Sequence, residues 1–197
     1  DCDRWAFQSQ QRAKQAQAEN RFAKSLISVK AADGSVALDR DEFPRPETTM
    51  ETLAKLEPSF AAMGEYVQKG DELSFDKKAM SVYPAVKKIP HVHHAGNSSG
   101  IVDGASAVLC ASEAWVKRHA GVKPRARVRS MATAGDEPVI MLTAPAPASE
   151  LALKKAGMTW KDIDLVEVNE AFASVVLKFL KETGVDPAIV NVNGGAI

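Results

Sequence analysis

Residues 163–168 carry one hydrophobic period and residues 172–180 another, and the change between them fixes a strand-to-helix junction. In the first stretch Ile163, Leu165, Val166 and Val168 are interrupted only by Asp164 and Glu167, a β-branched alternation that reads as a strand. In the second, Phe172, Val175, Val176, Phe179 and Leu180 line up at helical spacing, and Gly184 with Pro187 closes the helix. Asn169 falls between the two. An asparagine there caps a helix well, and its carboxamide is equally able to face a ligand. Local sequence leaves both roles open.

The rest of the chain supports a layered α/β arrangement. Residues 1–21 contain neither Gly nor Pro and are rich in Gln, Ala, Lys and Arg, so a helix is expected. Residues 25–29 and 36–38 flank Asp33-Gly34, which predicts a hairpin. Thr48-x-x-Glu51 is a capping-box pattern for a helix that Pro58 limits. Residues 105–111, 126–131 and 188–192 read as further strands, and residues 113–119 and 146–156 as helices, the latter closed by Gly157. Thr159-x-x-Asp162 begins the turn before the junction. Gly64, Gly70, Pro84 and Pro90 break up residues 61–90, the least regular part.

With 197 residues the chain can bury one ample core or two small ones, and 45% hydrophobic with 25% charged residues is ordinary for a globular protein. The net charge is zero, which gives no general argument for nucleic acid or an anionic membrane. No apolar run approaches the roughly 18 residues of a membrane span. Cys2 and Cys110 are too few for a disulfide framework and suit a reducing compartment, so a cytoplasmic location is expected. His91 and His93 would share one face of a strand, but a closed zinc site wants four ligands and no cysteine lies nearby. No metal is expected.

Val168-Asn169-Glu170-Ala171-Phe172-Ala173 resembles a signature of the thiolase family. Asn191-Val192-Asn193-Gly194-Gly195-Ala196-Ile197 is similar to the opening of a second thiolase signature, which in the family continues into a Gly-His-Pro bearing a catalytic histidine. Ala95-Gly96-Asn97-Ser98-Ser99-Gly100, followed by Asp103-Gly104-Ala105, resembles the family's pantetheine-binding loop. Arg45-Pro46-Glu47-Thr48-Thr49 with Leu53-Ala54-Lys55-Leu56-Glu57-Pro58 also matches. The blocks stand in family order and span most of the chain.

The resemblance implies a thiolase-like layered α/β fold, present in part, with a mixed α/β loop domain. Residues 1–99 would be a loop-domain portion with an insertion at about 61–90. Residues 100–121 would be the last strand and helix of the N-terminal half, and residues 122–197 the first part of the C-terminal half. It also implies an internal fragment, inactive in isolation, whose parent carries the nucleophilic cysteine before Asp1 and a second cysteine and a histidine after Ile197. The implied reaction is acyl transfer between CoA thioesters, by Claisen condensation or thiolytic cleavage of a 3-ketoacyl-CoA. Acyl-CoA and CoA are then the partners, with no separate cofactor, and the parent is expected as a homodimer or homotetramer. A non-catalytic thiolase-fold protein that binds CoA or lipid, or acts as a scaffold, is the alternative. A sterol-carrier-type thiolase would have a His-containing block in place of the Asn169 block.

Residue by residue, Asn169 matches the catalytic asparagine that holds a water against the substrate thioester oxygen. The chemistry suits a neutral fixed dipole, because charge developing on that oxygen meets a donor that needs no reorganisation. Glu170 is expected as a supporting hydrogen-bond partner. Ala171 and Phe172 match positions at the pantetheine and acyl end, with core packing an equal reading for Phe172. Ala95 and Ser99 match pantetheine-contacting positions, where two glycines let backbone approach a ligand. Met141 matches a methionine beside the acyl pocket, against a plain packing role. The family has glycine where Ala144 stands, which makes the local backbone there a point to test.

Overall fold

The computed structural model describes all of residues 1–197. Two helices from opposite ends of the chain, α1 (Cys2–Ala18) and α7 (Ala173–Thr183), pack against each other. Helix α1 runs as its composition predicts, and it turns Trp5, Ala6, Ser9, Gln10 and Ala16 inward. Helix α7 turns in Val175, Val176 and Phe179 of the expected stripe together with Ala173, while Phe172 is its cap position and Leu180 is half-buried. Its stop is Gly184, at φ 66, where a residue without a Cβ takes the left-handed conformation at no steric cost. Leu53, Ala146, Val168, Val185, Val190 and Ile197 close the core around the pair.

Short elements connect them. Strands β1 (Val29–Lys30) and β2 (Val36–Leu38) form the expected antiparallel hairpin over Asp33-Gly34, although the first strand begins later than its pattern suggests. Helices α2 (Met50–Leu53), α3 (Ala61–Glu65), α4 (Phe75–Val82), α5 (Glu113–Arg118) and α6 (Pro145–Ala156) follow. The capping box of α2 sits one residue later than expected. Thr49, not Thr48, accepts from the Thr52 amide at 3.2 Å, and the Thr52 hydroxyl answers the Thr49 amide at 3.0 Å. The expected turn at Thr159 carries a capping box, with Asp162 accepting from the Thr159 amide at 2.8 Å.

The expected strands are where the structure departs from the sequence pattern. Residues 105–111 and 126–131 are in no ladder, and Val108 and Leu109 are each 87% exposed. Residues 163–168 and 188–192 meet in a single parallel bridge, Val166 to Val190. Alternation gives a segment its two faces, but a strand exists only once another backbone accepts its amides. The β1–β2 hairpin has such a neighbour within a few residues; the other segments depend on distant chain.

Candidate functional site

Asn169 does not cap α7. The cap position is Phe172, at φ −145, and no side chain accepts from the first turn there. The purely structural reading of Asn169 as a helix cap is thereby removed. Its side chain is exposed, yet both neighbours are buried and held. The Val168 amide donates to Asn191 Oδ1 at 2.7 Å, and Asn191 Nδ2 donates back to the Val168 carbonyl at 2.8 Å. One buried carboxamide thus stands in for the missing rung beyond the Val166–Val190 bridge. Asn191 does this from φ 49, a left-handed conformation that asparagine tolerates better than most residues.

On the other side of Asn169, the Glu170 side chain is fully buried and accepts four hydrogen bonds. Oε1 receives Trp5 Nε1 and Asn191 Nδ2, each at 2.9 Å. Oε2 receives Ser9 Oγ at 2.7 Å and the Ile197 amide at 3.3 Å. Ser9 Oγ in turn accepts the Gly195 amide at 3.0 Å. A buried carboxylate is costly unless its lone pairs are answered, and here they are. The structure therefore supports the expectation of a hydrogen-bonding role for Glu170 and identifies its partners. Gly195 lies so close that a Cβ on it would sit 2.2 Å from Glu170 Cδ. Loss of water lowers Arg12 from its usual value, while the Glu170 charge nearby opposes that shift. Loss of water and then the Glu170 charge push the Glu167 carboxyl up.

A second polar centre holds the 95–100 loop. Asn97, fully buried, donates from Nδ2 to Asp3 Oδ1 at 2.8 Å and to the Val92 carbonyl at 2.9 Å. Its Oδ1 accepts from the His94 amide at 3.1 Å and faces His93 Nδ1 at 3.2 Å. His94 Nδ1 accepts from the Gly96 amide at 3.1 Å, so the ring proton is on Nε2, which donates to Asp3 Oδ1 at 3.0 Å. The 3.2 Å approach of Asn97 Nδ2 to that same Nε2 brings two donors together and is a contact, not a hydrogen bond. His91 Nε2 pairs with Asp76 Oδ2 at 2.8 Å.

Backbone bonds then draw the separate blocks into one surface. The Ser99 amide donates to the Ala171 carbonyl at 2.9 Å, and Ser98 bridges Phe172. The Gly100 amide donates to the Ala196 carbonyl at 2.9 Å. Ser99, Ala171, Phe172 and the turn bearing Ala95 are therefore neighbours of Asn169, and Ala95, Ser99 and Asn169 are exposed. The two loop glycines are required by packing within the protein itself. Their open faces are filled by protein: a Cβ on Gly96 would lie 2.6 Å from Leu53 Cδ2, and one on Gly100 would lie 2.0 Å from the Phe43 ring. Phe172 packs edge-on to Phe60, with centroids 5.7 Å apart, and 5.0 Å from the His93 ring.

Met141 stands on a separate turn, 62% exposed. Val139 and Ile140 beside it face Val82, Tyr83 and Val86 across an apolar groove of about 710 Å³. Ala144 has a negative φ of −63 that needs no glycine, although its ψ of −17 is in the α region that a following proline disfavours. The unusual dihedrals fall earlier, at Met141 and Leu142, each with φ 57. Cys2 is half-buried and its thiol is pushed up, first by burial, whereas a nucleophilic thiolate needs the opposite shift. Cys110 lies in the exposed 101–112 stretch.

Trp5, Ser9 and Gln10 were not singled out in the sequence, and Asn97 and Asn191 stood in the family blocks with no role assigned. One signal was available. Ser9 and Gln10 fall on the same helical face as Trp5 and Ala6, and polar side chains on a buried face need partners. Gln10 has two, accepting from the Arg45 amide at 2.7 Å and donating to the Ile197 carbonyl at 2.8 Å.

Two family profiles match the chain: "Thiolase, N-terminal domain" over residues 1–72 and "Thiolase, C-terminal domain" over residues 122–197. The mitochondrial 3-ketoacyl-CoA thiolase of Bos taurus is 43% identical over 199 residues, covering 100% of this chain and 43% of that protein. The acetyl-CoA acetyltransferase of Rhizobium meliloti (strain 1021) is 42% identical over 197 residues, covering 99% of this chain and 43% of that protein. The crystal structure of human mitochondrial 3-ketoacyl-CoA thiolase in complex with CoA superposes with a TM-score of 0.76 at 38% identity, covering 99% of this chain and 42% of that one. The chain thus spans 43% of the length of these two curated relatives. No helix is long and apolar enough to cross a membrane.

Proposed function

Because this chain belongs to the thiolase family, we propose that the protein it represents transfers acyl groups between CoA thioesters, by Claisen condensation or by thiolytic cleavage of a 3-ketoacyl-CoA. The observation that carries this reading is the convergence of the 95–100, 169–172 and 191–197 segments on one surface, with the Asn169 carboxamide exposed between two clamped neighbours. In this role Asn169 holds a water that donates to the thioester oxygen as charge builds there. Ala95, Ser99, Ala171 and Phe172 flank the acyl and pantetheine end; Met141 is assigned beside the acyl pocket by resemblance alone, since its turn stands apart and exposed. The thiolate nucleophile is assigned to neither Cys2, whose thiol burial pushes up, nor Cys110, which is not in the family's nucleophile context. CoA thioesters are the substrates, and no further cofactor enters the scheme.

Residues 1–99, 100–121 and 122–197 keep their proposed assignments as loop-domain portion, end of the N-terminal half and start of the C-terminal half. A homodimer or homotetramer is the proposed assembly, in keeping with the exposed apolar side chains at Ile101, Val108, Leu109 and Val128. The two free cysteines suit the cytoplasm. A mitochondrial matrix location is the second reading, favoured by the names of mitochondrial relatives, and organelle fractionation separates the two.

The test uses the full-length enzyme with acetoacetyl-CoA and free CoA, following loss of the enolate absorbance. Asn169→Ala is expected to lower the rate by about 10²- to 10³-fold, as for loss of one oxyanion donor. Asn169→Asp should fail almost as badly, because its charge opposes charge on the substrate oxygen. Neither substitution removes a helix cap, so the thermal midpoint should hold in both. An active Asn169→Asp variant would refute the assigned role. A wild-type enzyme that binds CoA without turnover would favour the non-catalytic binding or scaffolding protein.

A further inference from the structure

We infer that Asn191 is a positioning residue which, with Glu170, fixes the direction of the exposed Asn169 side chain; this rests on the catalytic role proposed for Asn169. Four observations carry it. Asn191 is 1% exposed and its carboxamide forms a closed pair with the Val168 backbone, accepting at 2.7 Å and donating at 2.8 Å. The same Nδ2 also donates to Glu170 Oε1 at 2.9 Å, so one side chain grips the residues on both sides of Asn169. Glu170 is itself pinned to α1 by Trp5 and Ser9 and to the chain's last residue by the Ile197 amide. Asn169 is the one residue of this three-residue run whose side chain is exposed.

The chemistry follows from that geometry. An exposed carboxamide on an ordinary turn samples several χ1 and χ2 wells and drags its backbone with it. With Val168 and Glu170 fixed, the Asn169 Cα–Cβ direction is set before any ligand arrives, which narrows the positions open to a water held by the carboxamide. Aspartate at 191 would keep the acceptor for the Val168 amide. It would lose the donor to the Val168 carbonyl and set a second carboxylate against Glu170. Glycine at 191 keeps the left-handed backbone, φ 49, without strain and removes the methylene and its carboxamide.

The experiment is made on the full-length enzyme with acetoacetyl-CoA and CoA, comparing wild type, Asn191→Gly, Asn169→Ala and the double variant. Amide hydrogen exchange at Val168 is read alongside. Asn191→Gly should speed exchange at Val168 and lower kcat by about 10²-fold with KM for CoA little changed, the size expected of an ångström-scale misplacement. On the Asn169→Ala background, the Asn191→Gly substitution should cost almost nothing further, because it acts through Asn169. A kcat loss that multiplies in the double variant would overturn the inference, as would wild-type kcat in Asn191→Gly. If wild-type enzyme shows no turnover, the proposed reaction fails and exchange alone decides. Faster exchange at Val168 then upholds the clamp, and unchanged exchange refutes it.

Discussion

At the scale of single residues, most of the site's order comes from side chains that never face solvent. Glu170 gathers Trp5, Ser9, Asn191 and the Ile197 amide, and the close approach of Gly195 leaves the carboxylate no spare room. Gly195→Ala should therefore displace Glu170 from its donors. The expected cost is about 1–3 kcal/mol, the usual range for an extra methyl forced into packed space. Urea unfolding of the full-length enzyme measures it, and a midpoint equal to wild type would show that the segment yields without loss. The family blocks were legible as words in the sequence: Asn169, Ala171 and Phe172 in one, Ala95 and Ser99 in another. The residues that hold those blocks in place were not. Trp5 and Ser9 meet Glu170 only through tertiary packing, and nothing within a local window distinguishes Ser9 from an ordinary helix-surface serine.

Among the elements, legibility followed the range of the interactions that make each one. Helix α1 was readable from its composition, and α6 and α7 because their patterns and stop signals, Gly157 and Gly184, are contained within a few turns. The strands of residues 105–111 and 126–131 were not realised, because alternation specifies two faces and leaves the partner unspecified. Even the junction of residues 163–168 forms only the Val166–Val190 bridge before a side chain takes over the pairing. The end of α7 offers a direct test. No atom lies within 4 Å of a Cβ built on Gly184, so Gly184→Ala meets only the backbone cost of φ 66. A loss of roughly 1–2 kcal/mol is expected from that conformation alone. Thermal unfolding of the full-length enzyme reads it, and no change would mean that the helix end relaxes to another conformation.

Over the whole molecule, the accessible surface is 14450 Å², against about 9,000 Å² expected of a folded monomer of 21.1 kDa. Only 23 of 197 residues are buried, so the core around α1 and α7 carries a large apolar exterior, Ile101, Val108 and Leu109 among it. Prepared alone, the 197-residue chain should bind a hydrophobic dye strongly and unfold over a broad temperature range. A sharp calorimetric transition without dye binding would contradict this. The Glu170 network adds a requirement of timing. Its carboxylate is joined to Trp5 and Ser9 across 165 and 161 residues of chain, so no nascent local structure supplies those two donors. Contacts of such separation form slowly, after the intervening loops have closed. The Asn169 junction is therefore expected to set late in folding, since until Trp5 and Ser9 arrive Glu170 lacks two of its four donors.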